Sequence, residues 1–122
     1  MTGSKDLAIA AARAASEKQA TDILILDVRE LIVITDYFVI ASGRSDRQVK
    51  TIAESIEEVL RGEGEKPPRR EGRRDGRWVL LDYLDFVVHV FLEEEREFYG
   101  LERLWADAPS VDWNHAAASS GR

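Results

Sequence analysis

The chain of 122 residues is long enough for one domain with a hydrophobic core, and 44% hydrophobic and 33% charged residues are ordinary values for a globular protein. It has no cysteine, which excludes disulfides, thiolate catalysis and cysteine-based zinc sites, and no apolar run approaches the roughly 18 residues of a membrane helix. These absences, together with the lack of a secretory signal, predict a soluble cytoplasmic protein. The net charge of −6 argues against DNA or RNA as the main partner and fits docking on a basic protein.

The N-terminal third predicts a helix followed by strands. Residues 4–20 are rich in Ala, Lys, Glu and Gln, which favour a helix, and their small apolar residues form a shallow stripe suited to close packing on a sheet. Residues 22–28 are apolar almost throughout and predict a strand buried on both faces, and residues 35–43 predict a second strand. Residues 31–34 fit either another strand or a loop that packs on the core.

The pattern from Ser45 onward predicts an amphipathic helix. Ser45 and Gln48 match a capping box at its start, and Gly62 and Gly64 end it. The predicted apolar face contains Val49, Ile52, Ala53, Ile56, Val59 and Leu60. This periodicity is the strongest helix signal in the chain.

The C-terminal half begins with a basic segment and continues with two strands, a helix and a tail. Residues 66–77 contain six basic and two acidic residues, which fits either an RNA contact or a solvated, flexible loop. Residues 78–83 and 86–91 predict a β-hairpin, and residues 93–107 predict a final helix. The apolar face of that helix contains Phe98, Leu101, Leu104 and Trp105. Beyond Pro109 the residues are small and polar and predict a disordered tail.

The order of these elements predicts an α/β fold with a mixed β-sheet flanked by helices. Helix crossovers join some neighbouring strands and the hairpin joins others, which gives parallel and antiparallel pairs in one sheet. We assign residues 1–108 to the folded domain and residues 109–122 to the C-terminal tail.

The hairpin carries two aspartates and a histidine in an apolar run, and its register decides where they point. A turn with an even number of residues pairs Leu80 with His89 and Asp82 with Val87. Side chains then alternate between an apolar core face (Val79, Leu81, Tyr83, Phe86, Val88 and Val90) and a mixed face (Trp78, Leu80, Asp82, Val87, His89 and Phe91). Because a buried unpaired aspartate is costly, we expect the mixed face to be partly open.

Asp82 and His89 are diagonal neighbours in this register, with about 7–8 Å between their backbones. A catalytic triad also needs a nucleophile, but the chain has no cysteine and its serines lie elsewhere, outside a nucleophile elbow. Asp82, Asp85 and His89 are residue types that bind zinc or magnesium, yet Asp85 falls in the turn and His115 lies in the tail. We therefore favour a hydrogen-bonded Asp82–His89 pair that fixes the hairpin over an active site or a metal site.

Residues 43–46 raise the question of a phosphate site, because a strand, a glycine and a helix N-terminus can bind an anion. Nucleotidyltransferases place a similar Gly-Ser element beside two acidic residues that alternate on a strand and hold metal ions. Asp82 and Asp85 are three apart and straddle a turn, so a helix cap is the favoured interpretation. Trp78, where the basic segment enters the mixed face, is typical of an interface anchor, with core filling as the alternative.

Five segments carry a family resemblance and follow one another over residues 5–107: DILILDV, TDYFVIASGRSDRQV, EG at 71–72, WVLLDYLDFVVHVF and REFYGLERLW. In this order they closely resemble the ribosomal silencing factor family, also called Iojap-like proteins. The family commonly has glycine in the hairpin turn where this chain has Leu84, which indicates a wider turn here.

The resemblance implies a nucleotidyltransferase-like fold without a known enzymatic activity or cofactor. It implies a homodimer that binds the fourteenth protein of the large ribosomal subunit and sterically blocks joining of the small subunit, which lowers translation when nutrients are short. We expect the partner to meet the mixed face and its rim, at Glu71, Gly72, Trp78, Leu80, Asp82, Asp85, His89 and Tyr99. Two other functions stay open: a nucleotidyltransferase-type enzyme that uses Asp82 and Asp85 with a nucleotide near Gly43, and an RNA-binding ribosome-assembly factor that uses residues 66–77.

Overall fold

Ten helices and strands follow one another in the computed structural model, which describes residues 3–114. The helices are α1 (Ser4–Glu17), α2 (Asp46–Gly62), α3 (Glu93–Tyr99) and α4 (Leu101–Leu104). The strands are β1 (Thr21–Asp27), β2 (Tyr37–Gly43), β3 (Arg69–Glu71), β4 (Trp78–Asp82), β5 (Phe86–Leu92) and β6 (Ser110–Val111). None of the helices within residues 3–114 has the length and apolar character to span a membrane.

The six strands form one mixed sheet in the order β3-β4-β5-β2-β1-β6. Strands β2 and β5 run parallel and are connected by a crossover that contains α2, β3 and β4. The other neighbouring strands run antiparallel. Helices α1 and α2 pack on one face, and the segment that contains α3 and α4 packs on the other. The predicted mixed sheet flanked by helices is confirmed, while its relation to nucleotidyltransferases stays a prediction.

Helix α1 lies close to the sheet because alanines dominate its inner face. The predicted stripe of Leu7, Ala8, Ala11, Ala14 and Ala15 is buried throughout. An alanine side chain ends at its β-carbon, so the helix can approach the strands without leaving a gap. The predicted helix is confirmed, with its end at Glu17 instead of residue 20.

Helix α2 begins with the predicted cap. The Ser45 Oγ accepts a hydrogen bond from the Gln48 N–H at 3.1 Å. The Gln48 Oε1 accepts one from the Arg44 N–H at 2.7 Å, one residue before the usual position of the reciprocal bond. Two backbone donors at the start of the helix are therefore satisfied by side chains.

The prediction that Val59 belongs to the buried apolar face of α2 is wrong. Val59 is 37% exposed, whereas Glu57 is 8% exposed and faces the sheet. Arg70 of the edge strand β3 donates to both carboxylate oxygens of Glu57, with a shortest distance of 2.6 Å. This paired carboxylate, and not an apolar side chain, closes the α2 contact with β3.

The hairpin has the predicted register, with Leu80 opposite His89 and Asp82 opposite Val87. All six residues of its predicted core face are at most 9% exposed: Val79, Leu81, Tyr83, Phe86, Val88 and Val90. Two residues, 84–85, connect the paired ends, so the wider turn expected from the leucine in this position is wrong.

The apolar segment 31–34 is a turn and not a strand, and Ile32 is its one residue that packs on the core. The N–H groups of Leu31 and Ile32 both donate to the Val28 carbonyl, which makes a local turn after β1. Val33 is 100% exposed and Ile34 is 86% exposed. Turn hydrogen bonds have thus replaced pairing with a neighbouring strand.

The predicted helix over residues 93–107 is interrupted at Gly100. Its φ of 56° is left-handed and ends α3, and the short helix α4 then starts in a new direction. The predicted common apolar face is therefore wrong: Phe98 is 77% and Leu104 is 72% exposed, whereas Trp105 packs on the sheet.

Residues 110–114 differ from the disordered tail that their composition predicts. Strand β6 pairs with β1, and the Trp113 indole N–H donates to the Ile23 carbonyl at 3.3 Å. These contacts use backbone groups on the edge of β1 that would otherwise lack partners. The rest of the predicted tail, residues 115–122, lies outside the described part of the chain and includes His115.

Candidate protein interface

The face of the sheet opposite α1 and α2 has a covered half and an open half. Leu101 and Trp105 pack on the half formed by β1 and β2, where the Trp105 and Phe38 ring centroids are 5.7 Å apart. The half formed by β3, β4 and the start of β5 at Val87 is accessible to solvent, and we call it the open half-face. Its residues are all partly or fully exposed: Arg69, Glu71, Trp78, Leu80, Asp82 and Val87.

An aromatic cluster centred on Trp78 lies at one end of the open half-face. The Trp78 ring stacks on Phe91 with a centroid distance of 4.8 Å and lies 4.7 Å from the Tyr99 ring. Phe91 is fully buried, whereas Tyr99 is 49% exposed. The cluster is therefore anchored in the core at one side and offers aromatic surface to solvent at the other, as interface anchors do.

His89 lies beneath this cluster and is 5% exposed. The Trp78 indole N–H donates to the His89 Nδ1 at 3.2 Å, which requires Nδ1 to be unprotonated. Burial among Phe38, Phe91 and Trp78 disfavours the charged form and lowers the pKa of His89 to about 4. The imidazole is therefore neutral at pH 7, with its proton on Nε2, which has no hydrogen-bond partner among the described residues.

The expected hydrogen bond between Asp82 and His89 is wrong. His89 has two diagonal neighbours across the hairpin, and it pairs with Trp78 instead of Asp82. The Asp82 Oδ1 accepts the N–H of Leu84 at 2.8 Å and so holds the hairpin turn. One carboxylate oxygen fixes the turn, and the side chain as a whole is still partly exposed on the open half-face.

The other residues expected to meet a partner lie at different distances from this centre. Glu71 stands opposite Leu80 on the edge strand β3, so both belong to the open half-face. Asp85 is exposed at the end of the hairpin, beyond that face. Gly72 has a φ of 77°, and a β-carbon there would lie 1.9 Å from the Trp78 carbonyl oxygen, so its structural effect is to let the chain pass Trp78 closely.

Arg96 is a buried residue of this region that sequence reasoning missed. Its guanidinium donates to the Asp22 carbonyl, to the Ser42 Oγ at 2.8 Å and to the Glu102 carboxylate at 2.9 Å. These bonds tie α3 to β1, β2 and α4, and thereby place Tyr99 beside Trp78. In the sequence Arg96 stands inside an EEERE run typical of a solvated helix face, which gives no signal of its burial.

The geometry gives little support to a metal site or to a phosphate site. No three His, Asp or Glu side chains within residues 3–114 converge as metal ligands. The Gly-Ser turn before α2 opens on a shallow depression lined by Arg44, Arg77 and the carboxylates of Asp46, Asp75 and Glu94. A phosphate placed there would meet these carboxylates as well as the two arginines.

The basic segment 66–77 is more ordered than a solvated loop. Arg70 pairs with Glu57 at 2.6 Å, Arg73 with Glu54 at 3.1 Å, and Arg77 with Glu95 at 2.6 Å. A guanidinium already bound to a carboxylate is less available to an RNA phosphate. Residues Arg69–Glu71 form strand β3, so the segment is not a loop throughout, and three of its six basic residues are already paired with carboxylates.

Comparison with known proteins decides the family. A family model described as "Ribosomal silencing factor during starvation" matches residues 2–122. The chain belongs to the ribosomal silencing factor family. The ribosomal silencing factor RsfS of Bacillus subtilis is 46% identical over 102 residues, which cover 84% of this chain and 86% of that protein. The resemblance predicted from the five sequence segments is confirmed.

Two further relatives extend the comparison. A crystal structure of a Chromobacterium violaceum protein matches with a TM-score of 0.83 and 34% identity, covering 86% of this chain and 88% of that one. A mouse protein named mitochondrial assembly of ribosomal large subunit protein 1 is 33% identical over 92 residues, which are 73% of this chain and 40% of the mouse protein. As a member of the ribosomal silencing factor family, this chain is a ribosome-associated regulator of translation.

Proposed function

We propose that this silencing factor binds the fourteenth protein of the large ribosomal subunit through the open half-face and the aromatic cluster. The bound factor occupies the surface that the small subunit would approach, so the subunits do not join and translation falls when nutrients are short. The observation that carries this proposal is a partly exposed Trp78 that is stacked on a buried ring beside an accessible sheet face.

The geometry of Trp78 is that of a binding hot spot. Its ring is held on Phe91 and Tyr99, and its indole N–H is occupied by His89, so little conformational entropy is lost when a partner covers it. The neighbouring Leu80 adds apolar surface. The partly exposed Asp82 and the exposed Glu71 add two negative charges, against one positive charge from Arg69. Such a surface suits a partner with an apolar centre and basic side chains around it, and ribosomal proteins are commonly basic.

The large subunit is the preferred half of the ribosome because the mouse relative is named for assembly of that subunit. We also propose that the factor forms a homodimer, on the resemblance to its family. Steric inhibition requires no bond to be made or broken, which fits a site that combines aromatic rings and carboxylates without a nucleophile.

Replacement of Trp78 by alanine tests the interface. We expect Trp78→Ala to weaken binding to isolated large subunits by about 2 kcal/mol or more, because it removes the centre of the cluster. Binding is measured by co-sedimentation or by surface plasmon resonance, with circular dichroism to verify the fold. Val59→Ala, an apolar change on the opposite side of the sheet, is the control and should bind as the wild type does.

The same variants test the mechanism in a light-scattering assay of subunit joining. Wild-type factor at saturation should slow joining, Val59→Ala should slow it equally, and Trp78→Ala should be much weaker. Joining at the normal rate with saturating wild-type factor would rule out the steric block. Turnover of a nucleotide by the pure protein would instead favour the nucleotidyltransferase alternative.

A further inference from the structure

The tip of the hairpin contains a residue whose backbone is strained. Leu84 has a φ of 76°, a region where the β-carbon of an L-residue meets its own backbone and where glycine is preferred. Two hydrogen bonds hold it there: the Leu84 N–H donates to the Asp82 Oδ1 at 2.8 Å, and the Asp85 N–H donates to the Tyr83 carbonyl at 3.0 Å. A glycine in this position would adopt the same turn without the strain.

Within the described chain, the side chain of Leu84 gains little stabilisation from burial to offset this strain. It is 72% exposed and belongs to neither hydrophobic cluster of the protein. Strained residues persist where the surroundings or a function favour them. Burial in the described chain therefore does not offset the strain at Leu84, whereas a contact with another molecule would.

A second exposed apolar segment lies at the same end of the sheet. The Asp36 N–H donates to the Asp85 carbonyl at 2.8 Å and thereby joins the loop before β2 to the hairpin turn. That loop carries Val33 and Ile34, which are 100% and 86% exposed. We call Val33, Ile34 and Leu84 the tip patch.

We propose that the tip patch is an aliphatic extension of the open half-face and seats in an apolar depression on the same large-subunit protein. This inference rests on the proposed function. Asp82 belongs to the open half-face and its carboxylate holds the Leu84 N–H, so the two surfaces are continuous. A partner that covers Leu80 and Asp82 therefore also meets Leu84.

The charges around the patch specify the rim of that depression. Asp36 and Asp85, which a backbone hydrogen bond joins, have no ion pair within residues 3–114. Asp85 also lines a shallow hollow beside Leu84, together with Asp82, Lys66 and Arg69. The partner should therefore present lysine or arginine side chains where it meets Asp36 and Asp85.

Substitution of Leu84 separates stability from binding. Leu84→Gly and Leu84→Asn both suit a positive φ, so we expect each to raise the melting temperature by about 3 °C. The same variants should bind isolated large subunits about tenfold more weakly, because the aliphatic contact is lost. Leu84→Met keeps an apolar side chain and the strain, and should retain both the melting temperature and the affinity of the wild type.

The neighbouring loop supplies an independent test. The double variant Val33→Ser/Ile34→Ser changes only exposed side chains, so it should keep the wild-type melting temperature and also lose about tenfold in affinity. Val59→Ser is the matched control for a change from aliphatic to polar, and it should bind normally.

The outcomes separate this inference from the proposed function. If Trp78→Ala loses binding while the Leu84 and loop variants bind as the wild type does, the tip patch is not part of the interface and the proposed function stands. If these variants bind subunits normally but convert a dimer to a monomer in sedimentation, the patch belongs to a second copy and the inference is overturned. If wild-type protein does not bind large subunits, both are overturned.

Discussion

Trp78 and His89 determine each other's chemistry at the scale of single residues. The indole N–H can only donate, so the His89 Nδ1 that receives it must stay unprotonated. The rings around His89 exclude water that could stabilise an imidazolium. A histidine that appears in the sequence as a candidate acid, base or ligand is therefore, in the fold, the neutral support of a tryptophan.

The lowered pKa of His89 predicts a loss of stability in mild acid. The pKa is 6.5 for an ordinary histidine and about 4 for His89 in the folded chain, so the unfolded chain takes up the proton first. The free energy of unfolding should therefore fall as the pH falls from 6.5 to 4, by on the order of 3 kcal/mol from this residue. Urea unfolding at several pH values measures it.

His89→Gln is the reference for this measurement. Its side-chain carbonyl can still accept the Trp78 indole N–H but does not titrate, while the carboxylates of the chain titrate in both proteins. The wild type should lose more stability on acidification than the variant does. Equal losses in the two proteins would contradict a buried, neutral His89.

At the scale of elements, Gly100 and Gly72 determine the path of the chain between neighbouring helices and strands. The apolar periodicity of residues 93–107 continues through Gly100, and a sequence pattern does not reveal that the chain turns there. The left-handed φ of Gly100 ends α3 and directs Trp105 onto Phe38, leaving Leu104 exposed. Local periodicity predicts a helix well, but its inner face depends on the axis that the neighbouring sheet imposes.

Gly72 gives a prediction for the connection between β3 and β4. A β-carbon at Gly72 would lie 1.9 Å from the Trp78 carbonyl oxygen, a backbone atom that cannot rotate away. Gly64 also has a positive φ, of 92°, but has nothing within 4 Å of such a β-carbon. We expect Gly64→Ala to cost about 1 kcal/mol of unfolding free energy, from backbone strain alone. Gly72→Ala should cost about 2 kcal/mol more, from the clash.

Chemical denaturation of the two alanine variants tests this difference. Because Gly72 holds the β3–β4 connection against Trp78, its variant should also bind large subunits more weakly than the Gly64 variant. Similar stabilities for the two would show that the connection relaxes and that Gly72 does not position Trp78.

At the scale of the whole molecule, the net charge is −6, and three of the six basic residues of segment 66–77 are paired with carboxylates. Arg70, Arg73 and Arg77 of the basic segment each bind a carboxylate of α2 or α3. The net negative charge together with this pairing favours a basic protein over RNA as the proposed partner.

This charge predicts a salt-dependent encounter with the large subunit. The association rate constant should fall about tenfold between roughly 0.05 M and 0.3 M salt, because screening removes the attraction between exposed charges. The dissociation rate constant should change much less, since in the proposed complex Trp78 and Leu80 make apolar contacts, which salt does not screen. Stopped-flow or surface plasmon resonance data at several salt concentrations measure both, and an association rate insensitive to salt would contradict charge steering.

The sequence by itself determined the main elements, the hairpin register and the family, because strand alternation, helix periodicity and capping are local and the family segments are distinctive. Only the tertiary structure decided that His89 pairs with Trp78, that Arg96 is buried, and that Tyr99 completes the aromatic cluster. Each of these depends on segments far apart in the chain that meet over one sheet. The local sequence around a charged or aromatic residue does not predict such a long-range contact. The free energy of burying the residue depends on the partners that the fold brings to it.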